Sequence, residues 1–405
     1  QPNGVSAYAG SAATRQVTGG MMMESALKDV RILDLTRALA GPFGSMVLAD
    51  LGAEIIRVEA PRSRRDVSGP LTYKGMDPYE LGVNRNKKSV VIDLTKETGR
   101  QVFYDLVKVS DAVYDNFRPD VPKRLGIDYD TLKEINPRVI SCSISGFGPT
   151  GPYADRPAYD LTVQALGGGV AITGDPAGRP VRCGVAVADQ AAGMLAAVGI
   201  LAALHARQQT GIGQRVETSL LEAMVHQLAL EIAMYTVSGW APGRMGGGNP
   251  MLVPYGIFKT KDDHVAVAAV LRFADLCRAI GRPDLAEDPR FARLELQVLN
   301  QHQLYPALEE VFVTRTTEEW LQTLMAADIP CAPVNTIDKV LADPQVQHRE
   351  MVVDVEHAKG GTVRLVGNPL KMSATPADAR KQFTSPPLLG QHTDEILTDL
   401  LHYSP

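Results

Sequence analysis

"VRILDLTRALAGPFGSMVLADLGAEIIRVEAP", Val30 to Pro61, changes its period twice. Val30 to Leu35 is a short apolar run, Gly41 to Ala53 carries helical spacing, and Glu54 to Pro61 is a second apolar run stopped by proline. That order, strand then helix then strand, predicts one unit of a parallel sheet. The pattern repeats downstream. "KSVVIDL" (88–94), "DAVYDNF" (111–117) and "RVISCSISGFG" (138–148) are further apolar runs ending in turn residues, with "GRQVFYDLVKVS" (99–110) as a helix between the first two. The expectation is an α/β fold with a mostly parallel sheet covered by helices on both faces, and ligands gathered at the carboxyl ends of the strands.

Composition narrows the classes of function. The chain has 405 residues, 45% of them hydrophobic and 21% charged, with a formal net charge of −5. It is long enough for two domains with substantial cores, and its charge gives no footprint for nucleic acid or an anionic membrane. No run reaches the ~18 consecutive apolar residues of a membrane span. Cys142, Cys183, Cys277 and Cys331 lie far apart with no CxxC pair, which fits a reducing cytoplasm better than a disulfide framework or zinc cluster. Residues 1–20 are small, polar and nearly uncharged, without the basic-then-apolar order of a secretory signal, and residues 1–26 are expected to form a mobile tail.

Residues 27–224 are read as the N-terminal part of a large domain, 225–335 as a linker helix and a smaller α+β domain, and 336–405 as a return to the large domain. In the small domain, Thr316 and Glu319 have capping-box spacing at the start of the helix that carries Trp320. The glycine-rich "GRMGGGNP" (243–250) reads as a junction.

No G-x-G-x-x-G follows the first strand, whose glycines are Gly41, Gly44 and Gly52, so a dinucleotide site is disfavoured. None of the eight histidines lies in a metal-binding or triad pattern. The glycine runs 167–169 and 246–248 could hold a ligand or turn the chain; Arg85, Lys87 and Lys88 could meet phosphates or water; Asn116 and Phe117 could touch a ligand or form a turn. Asp189 is the sharpest question. It opens a long alanine- and leucine-rich helix among Gly184, Ala186, Ala188, Ala191, Ala192 and Gly193. Aspartate is a favoured N-cap, and the same helix end helps keep a carboxylate ionised and able to act as a nucleophile. Local pattern leaves both readings open.

A resemblance separates them. "VRILDLTRALAGPFGSMVLADLGAEIIRVEAP", "NRNKKSVVIDL", "DNFRP", "GIDYDTLKEINPRVISCSISGFGPTGPY", "AYDLTVQALGG", "VADQAAGM", "TGIGQRVETSLLEAM", "IPCAPVNTIDKVLADPQV" and "PPLLGQHTDEIL" resemble, in order, the class III coenzyme A transferases, the family of formyl-CoA transferase, over about residues 27–398. The resemblance implies a Rossmann-like large domain built from both chain ends, a smaller domain, and two interlocked ring-shaped protomers. A homodimer is expected; a hetero-oligomer with a related chain is the alternative.

It also implies that Asp189 is the nucleophile, forming an aspartyl-acyl anhydride and then an enzyme-CoA thioester. Asn116, Phe117 and Arg124 fall where the family contacts CoA, and Arg85, Lys88 and Lys96 flank or end another contacting strand. Ala60 stands where formyl-CoA transferase has an arginine, leaving Arg57 or Arg62 to serve instead. Tyr159 lines up beside the active site, and Gly246, Gly247 and Gly248 match the mobile glycine loop. Arg182 and Arg244 are candidates for an acceptor's second carboxylate. Coenzyme A thioesters are expected as substrates, with no permanent cofactor and no metal. The donor is expected to be succinyl-CoA and the acceptor a small acid of the malate, citramalate, itaconate or mesaconate type. The alternatives are an α-methylacyl-CoA racemase, disfavoured because Tyr159 replaces the histidine of the racemases' GHD motif, and a catalytically silent CoA-binding subunit, disfavoured by Asp189.

Overall fold

The computed structural model describes residues 25–61, 72, 77–359, 361–375 and 383–404. The expected tail, 1–26, lies outside the described residues up to position 24. Six strands, β1 (Arg31–Asp34), β2 (Glu54–Glu59), β3 (Lys87–Val91), β4 (Ala112–Asp115), β5 (Ile140–Ser145) and β6 (Arg215–Ser219), form one sheet in the order 3-2-1-4-5-6. All neighbours are parallel. This is the order of doubly wound nucleotide-binding folds, which reverses direction between the first and fourth strands.

Consecutive residues of a strand face opposite sides, and the cores divide accordingly. Ile32, Ile55 and Ala112 point into a core shared with the helices Ala40–Asp50 and Val187–Thr210. Leu33, Ile56 and Val113 point into another, with Phe103, Leu106 and Val107 of the helix Glu97–Lys108. The expectation of helices on both faces therefore holds.

The helices Ala40–Asp50 and Val187–Thr210 touch backbone to backbone. A Cβ on Gly193 would lie 2.3 Å from the carbonyl oxygen of Ala40, and one on Gly44 would lie 2.5 Å from that of Gly193. Only glycine allows this approach, and it fixes the start of the longer helix against the first. Among the described residues Val187–Thr210 is the one unbroken helix long and apolar enough to cross a membrane by length and composition, although no apolar run in the sequence suggests it. Half of its apolar window is buried inside the protein, with Ala192, Ala196 and Ile200 fully covered.

A third core joins Val253, Phe258, Phe312, Trp320 and Leu324 beneath a three-stranded antiparallel sheet, β7 (Tyr255–Lys259), β8 (His264–Ala268) and β9 (Cys331–Pro333). Thr316 and Glu319 form the reciprocal capping box at the helix Thr317–Ala326. The chain then makes a hairpin, β10 (Val352–His357) and β11 (Gly361–Val366), and comes back to the first sheet. Ile396 packs in the core beside Val90. The outer edge of β3 is clipped by this last segment: Ser89 N–H donates to His392 Nδ1 (3.1 Å), His392 N–H to Ser89 O (3.0 Å), and Val91 N–H to Thr393 Oγ1 (3.2 Å).

Candidate active site

The sheet reverses between β1 and β4, and the loops leaving these strands meet there. The Asn116 side chain spans the gap: its Oδ1 accepts from Arg37 N–H (2.8 Å) and its Nδ2 donates to Arg37 O (2.7 Å). The Arg37 guanidinium lies 5.5 Å from the centre of the Phe117 ring. Next to it, Ala38 has a φ of 60°, the left-handed region that non-glycine residues enter rarely. These residues form one wall of a cleft with about 1050 Å³ of empty space open to solvent. Tyr159 and Asp189 line it as well.

Asp189 is the third residue of its helix, whose N-cap is Ala186. The expectation that Asp189 sits at or next to the cap needs correction. Asp160 does the capping from outside: its Oδ1 accepts from the N–H groups of Ala188 (3.0 Å) and Asp189 (3.4 Å), while its Oδ2 accepts from Gln164 (2.6 Å). Among the described residues no donor bonds the Asp189 carboxylate itself. Burial, helped by the negative charge of Asp160, pushes its pKa from 3.8 up to about 6. The helix end does not hold this acid at its ordinary value. A surface helix terminus contributes only about 0.3–1 kcal/mol, and here another carboxylate already occupies it.

Three arginines, Arg37, Arg118 and Arg156, line the same cleft, and among the described residues none is paired with an acid. Arg118 donates to the carbonyl of Asp155 (2.6 Å), and Arg156 lies over the Tyr153 ring at 3.8 Å. The cleft thus joins a half-buried, unbonded carboxylate to cations and to apolar Leu39, Phe117 and Leu220. It can hold an elongated anionic molecule with one end against the acid.

The structure brings Asp189, Asn116, Phe117 and Tyr159 together, the last with 77% of its surface exposed. The other candidates stand elsewhere. Arg85 is 1% exposed, bonded to Asp50 at 2.5 and 3.0 Å and to Val366 O at 2.6 Å, with Phe383 against its guanidinium. Lys88 bridges Glu54 and Glu395 at 3.0 and 2.7 Å. Lys96 is the exposed N-cap of Glu97–Lys108, and Arg124 pairs on the surface with Asp120. Arg57 is buried between Glu59 and Glu80, whereas Arg62 lies outside the described residues.

Arg182 donates to the carbonyls of Cys183 and Gly184. Arg244 donates to those of Asp175, Pro176 and Gly178, and Gly246 N–H to Gly174 O (2.9 Å). Gly246, Gly247 and Gly248 line a separate cavity with Asp175, Tyr305 and Glu309. Among the described residues no group of three or more His, Cys, Asp or Glu is arranged to hold a metal.

Sequence reasoning missed Arg37, Arg118, Arg156 and the capping role of Asp160. Arg37 and Arg118 carried a usable signal: each follows a strand within three residues, on the side where such sheets bind ligands.

Comparison with known proteins gives the family. Residues 27–393 match the family described as CoA-transferase family III. Succinyl-CoA:glutarate CoA-transferase of Homo sapiens is 37% identical over 381 residues, covering 93% of this chain and 86% of that protein. Succinyl-CoA:mesaconate CoA-transferase of Haloarcula hispanica is 37% identical over 390 residues, covering 92% and 96%. A solved structure of a CAIB/BAIF family protein from Brucella suis superposes with a TM-score of 0.83 at 34% identity, covering 93% of this chain and all of that one. By the extent of these matches, the chain belongs to CoA-transferase family III and is a CoA-transferase.

Proposed function

We propose that the protein moves CoA from succinyl-CoA to a small dicarboxylic acid of the glutarate or mesaconate type, with Asp189 as the nucleophile. The observation that carries this reading is the half-buried Asp189 carboxylate, unbonded among the described residues, in a cleft lined by three arginines that pair with no acid among the described residues. An Asp189 oxygen attacks the thioester carbonyl; the carbon–sulfur bond breaks and CoA leaves as a thiolate, giving an aspartyl-succinyl anhydride. The thiolate attacks the aspartyl carbonyl and expels succinate, leaving CoA on Asp189. The acceptor carboxylate then attacks this thioester, and the returning thiolate takes the acceptor's acyl group, freeing Asp189. The covalent route keeps the thioester's free energy from being lost to water. The arginines suit the CoA phosphates and the acceptor's second carboxylate.

The working unit in this reading is an interlocked homodimer in the cytoplasm, with the large domain assembled from both ends of the chain. Support for a partner copy comes from the helix Ala229–Ser238. None of its residues is buried, and Leu230, Tyr235 and Val237 are 61%, 56% and 88% exposed. The test is to incubate the protein with succinyl-CoA and glutarate or mesaconate and follow new thioesters by mass spectrometry. Transfer is expected, and Asp189→Ala should abolish it while keeping the fold. A variant that transfers at the wild-type rate rules out this mechanism.

A further inference from the structure

Asp34 and Lys87 form an ion pair at 3.1 Å, each side chain 0% exposed. Asp34 Oδ1 accepts from Thr36 N–H (2.9 Å) and its hydroxyl (2.5 Å), and Oδ2 accepts from Ser45 (2.6 Å). Lys87 Nζ donates to Pro42 O (3.0 Å), Ser45 Oγ (2.7 Å) and Asn84 Oδ1 (2.9 Å). Every bond of the pair is thus satisfied. Apolar side chains of similar volume usually fill a core at less cost than a buried ion pair, so the pair needs a reason beyond stability.

Its partners supply one. Thr36 and Pro42 bracket Arg37, Ala38, Leu39 and Ala40, the four consecutive residues that wall the cleft. Ala38 holds a left-handed backbone within that wall, a conformation that persists only where the surroundings fix it. The far end of the wall meets the helix that carries Asp189: the Ala40 carbonyl rests against Gly193, four residues beyond Asp189.

We propose that Asp34 and Lys87 are positioning residues for the acyl-CoA site, pinning both ends of the Arg37–Ala40 wall. This rests on reading the cleft as the CoA thioester site.

The test compares wild type with the double variant Asp34→Asn/Lys87→Met, which removes both charges at similar volume, and with Thr36→Val, which removes one hydroxyl bonded to Asp34. CoA binding is measured by calorimetry, KM and kcat with succinyl-CoA, and Tm alongside. The expected result is a folded double variant whose Kd for CoA and KM rise about tenfold, in keeping with the cost of a misplaced binding wall, while kcat changes far less. A folded double variant with wild-type Kd and KM overturns the proposal. If the double variant does not fold, Thr36→Val decides: a rise in Kd of about threefold, for one lost contact out of several, supports it, and an unchanged Kd overturns it. Wild-type protein that binds CoA but transfers nothing sinks the transfer reading alone, since the calorimetric comparison still stands. Wild-type protein that binds no CoA overturns both.

Discussion

The Asp189 carboxyl titrates near 6 instead of 3.8, mainly because it is buried and secondly because Asp160 is close; its ionised form is therefore resisted by the fold. A group whose folded pKa lies above its unfolded value binds its proton more tightly when folded. Its penalty is absent at low pH, grows as pH rises from the unfolded value toward the folded one, and is complete above it. At about 1.4 kcal/mol per pH unit, the displacement corresponds to at most about 3 kcal/mol. Solvent at the open side of the cleft reduces this to about 1–2 kcal/mol. Asp189→Asn removes the charge in a similar shape, so it should abolish transfer and stabilise the protein at once. The assay is urea denaturation of both proteins at one fixed concentration, at about pH 5 and about pH 8. The variant's gain should be about twice as large at the higher pH, because only part of the penalty has developed at the lower one. A variant less stable than wild type at pH 8, or a gain equal at both pH values, refutes the reasoning.

Two further outcomes follow from the same region. Asp160→Asn keeps an oxygen to cap the helix but removes the charge beside Asp189, so the acid limb of kcat/KM, expected near pH 6 if Asp189 is the nucleophile, should move lower; an unmoved limb counts against coupling of the two acids. Gly193→Ala puts a methyl 2.3 Å from the Ala40 carbonyl and should cost about 1–3 kcal/mol or more, read as a fall in Tm. Gly184→Ala, with nothing within 4 Å of its Cβ, should leave Tm nearly unchanged, and equal effects at the two glycines would discredit the close-packing account.

Much of the sheet is legible in the sequence because its strands are buried on both sides and so appear as short continuous apolar runs. "VRILDL" and "EIIRVE" need no neighbours to be recognised. Asp189 stands out for a related reason, being charged within a stretch otherwise built for packing. The cleft arginines are harder to see, since a lone arginine after a strand looks like any solvated loop residue until the order of the strands brings the loops of β1 and β4 together. Arg85 misleads in the opposite sense. In "VNRNKKS" it reads as one of several surface cations, and its burial depends on Asp50, Val366 and Phe383, none adjacent in sequence. The cap on the Asp189 helix is likewise invisible, because its donor of charge lies 29 residues upstream and local capping rules examine only the residues beside a helix.

The clip that seals β3 has a consequence for how the molecule is made. Ser89 and Val91 meet their partners 302 or 303 residues later in the chain. At the usual pace of translation, roughly 5–20 residues per second, the sheet waits on the order of 15–60 s with that border bare. An unsealed strand border is a template for pairing with another nascent chain, and closing so long a loop is intrinsically slow. Biogenesis of this enzyme should therefore depend on chaperone supply and temperature during synthesis more than its finished stability would suggest.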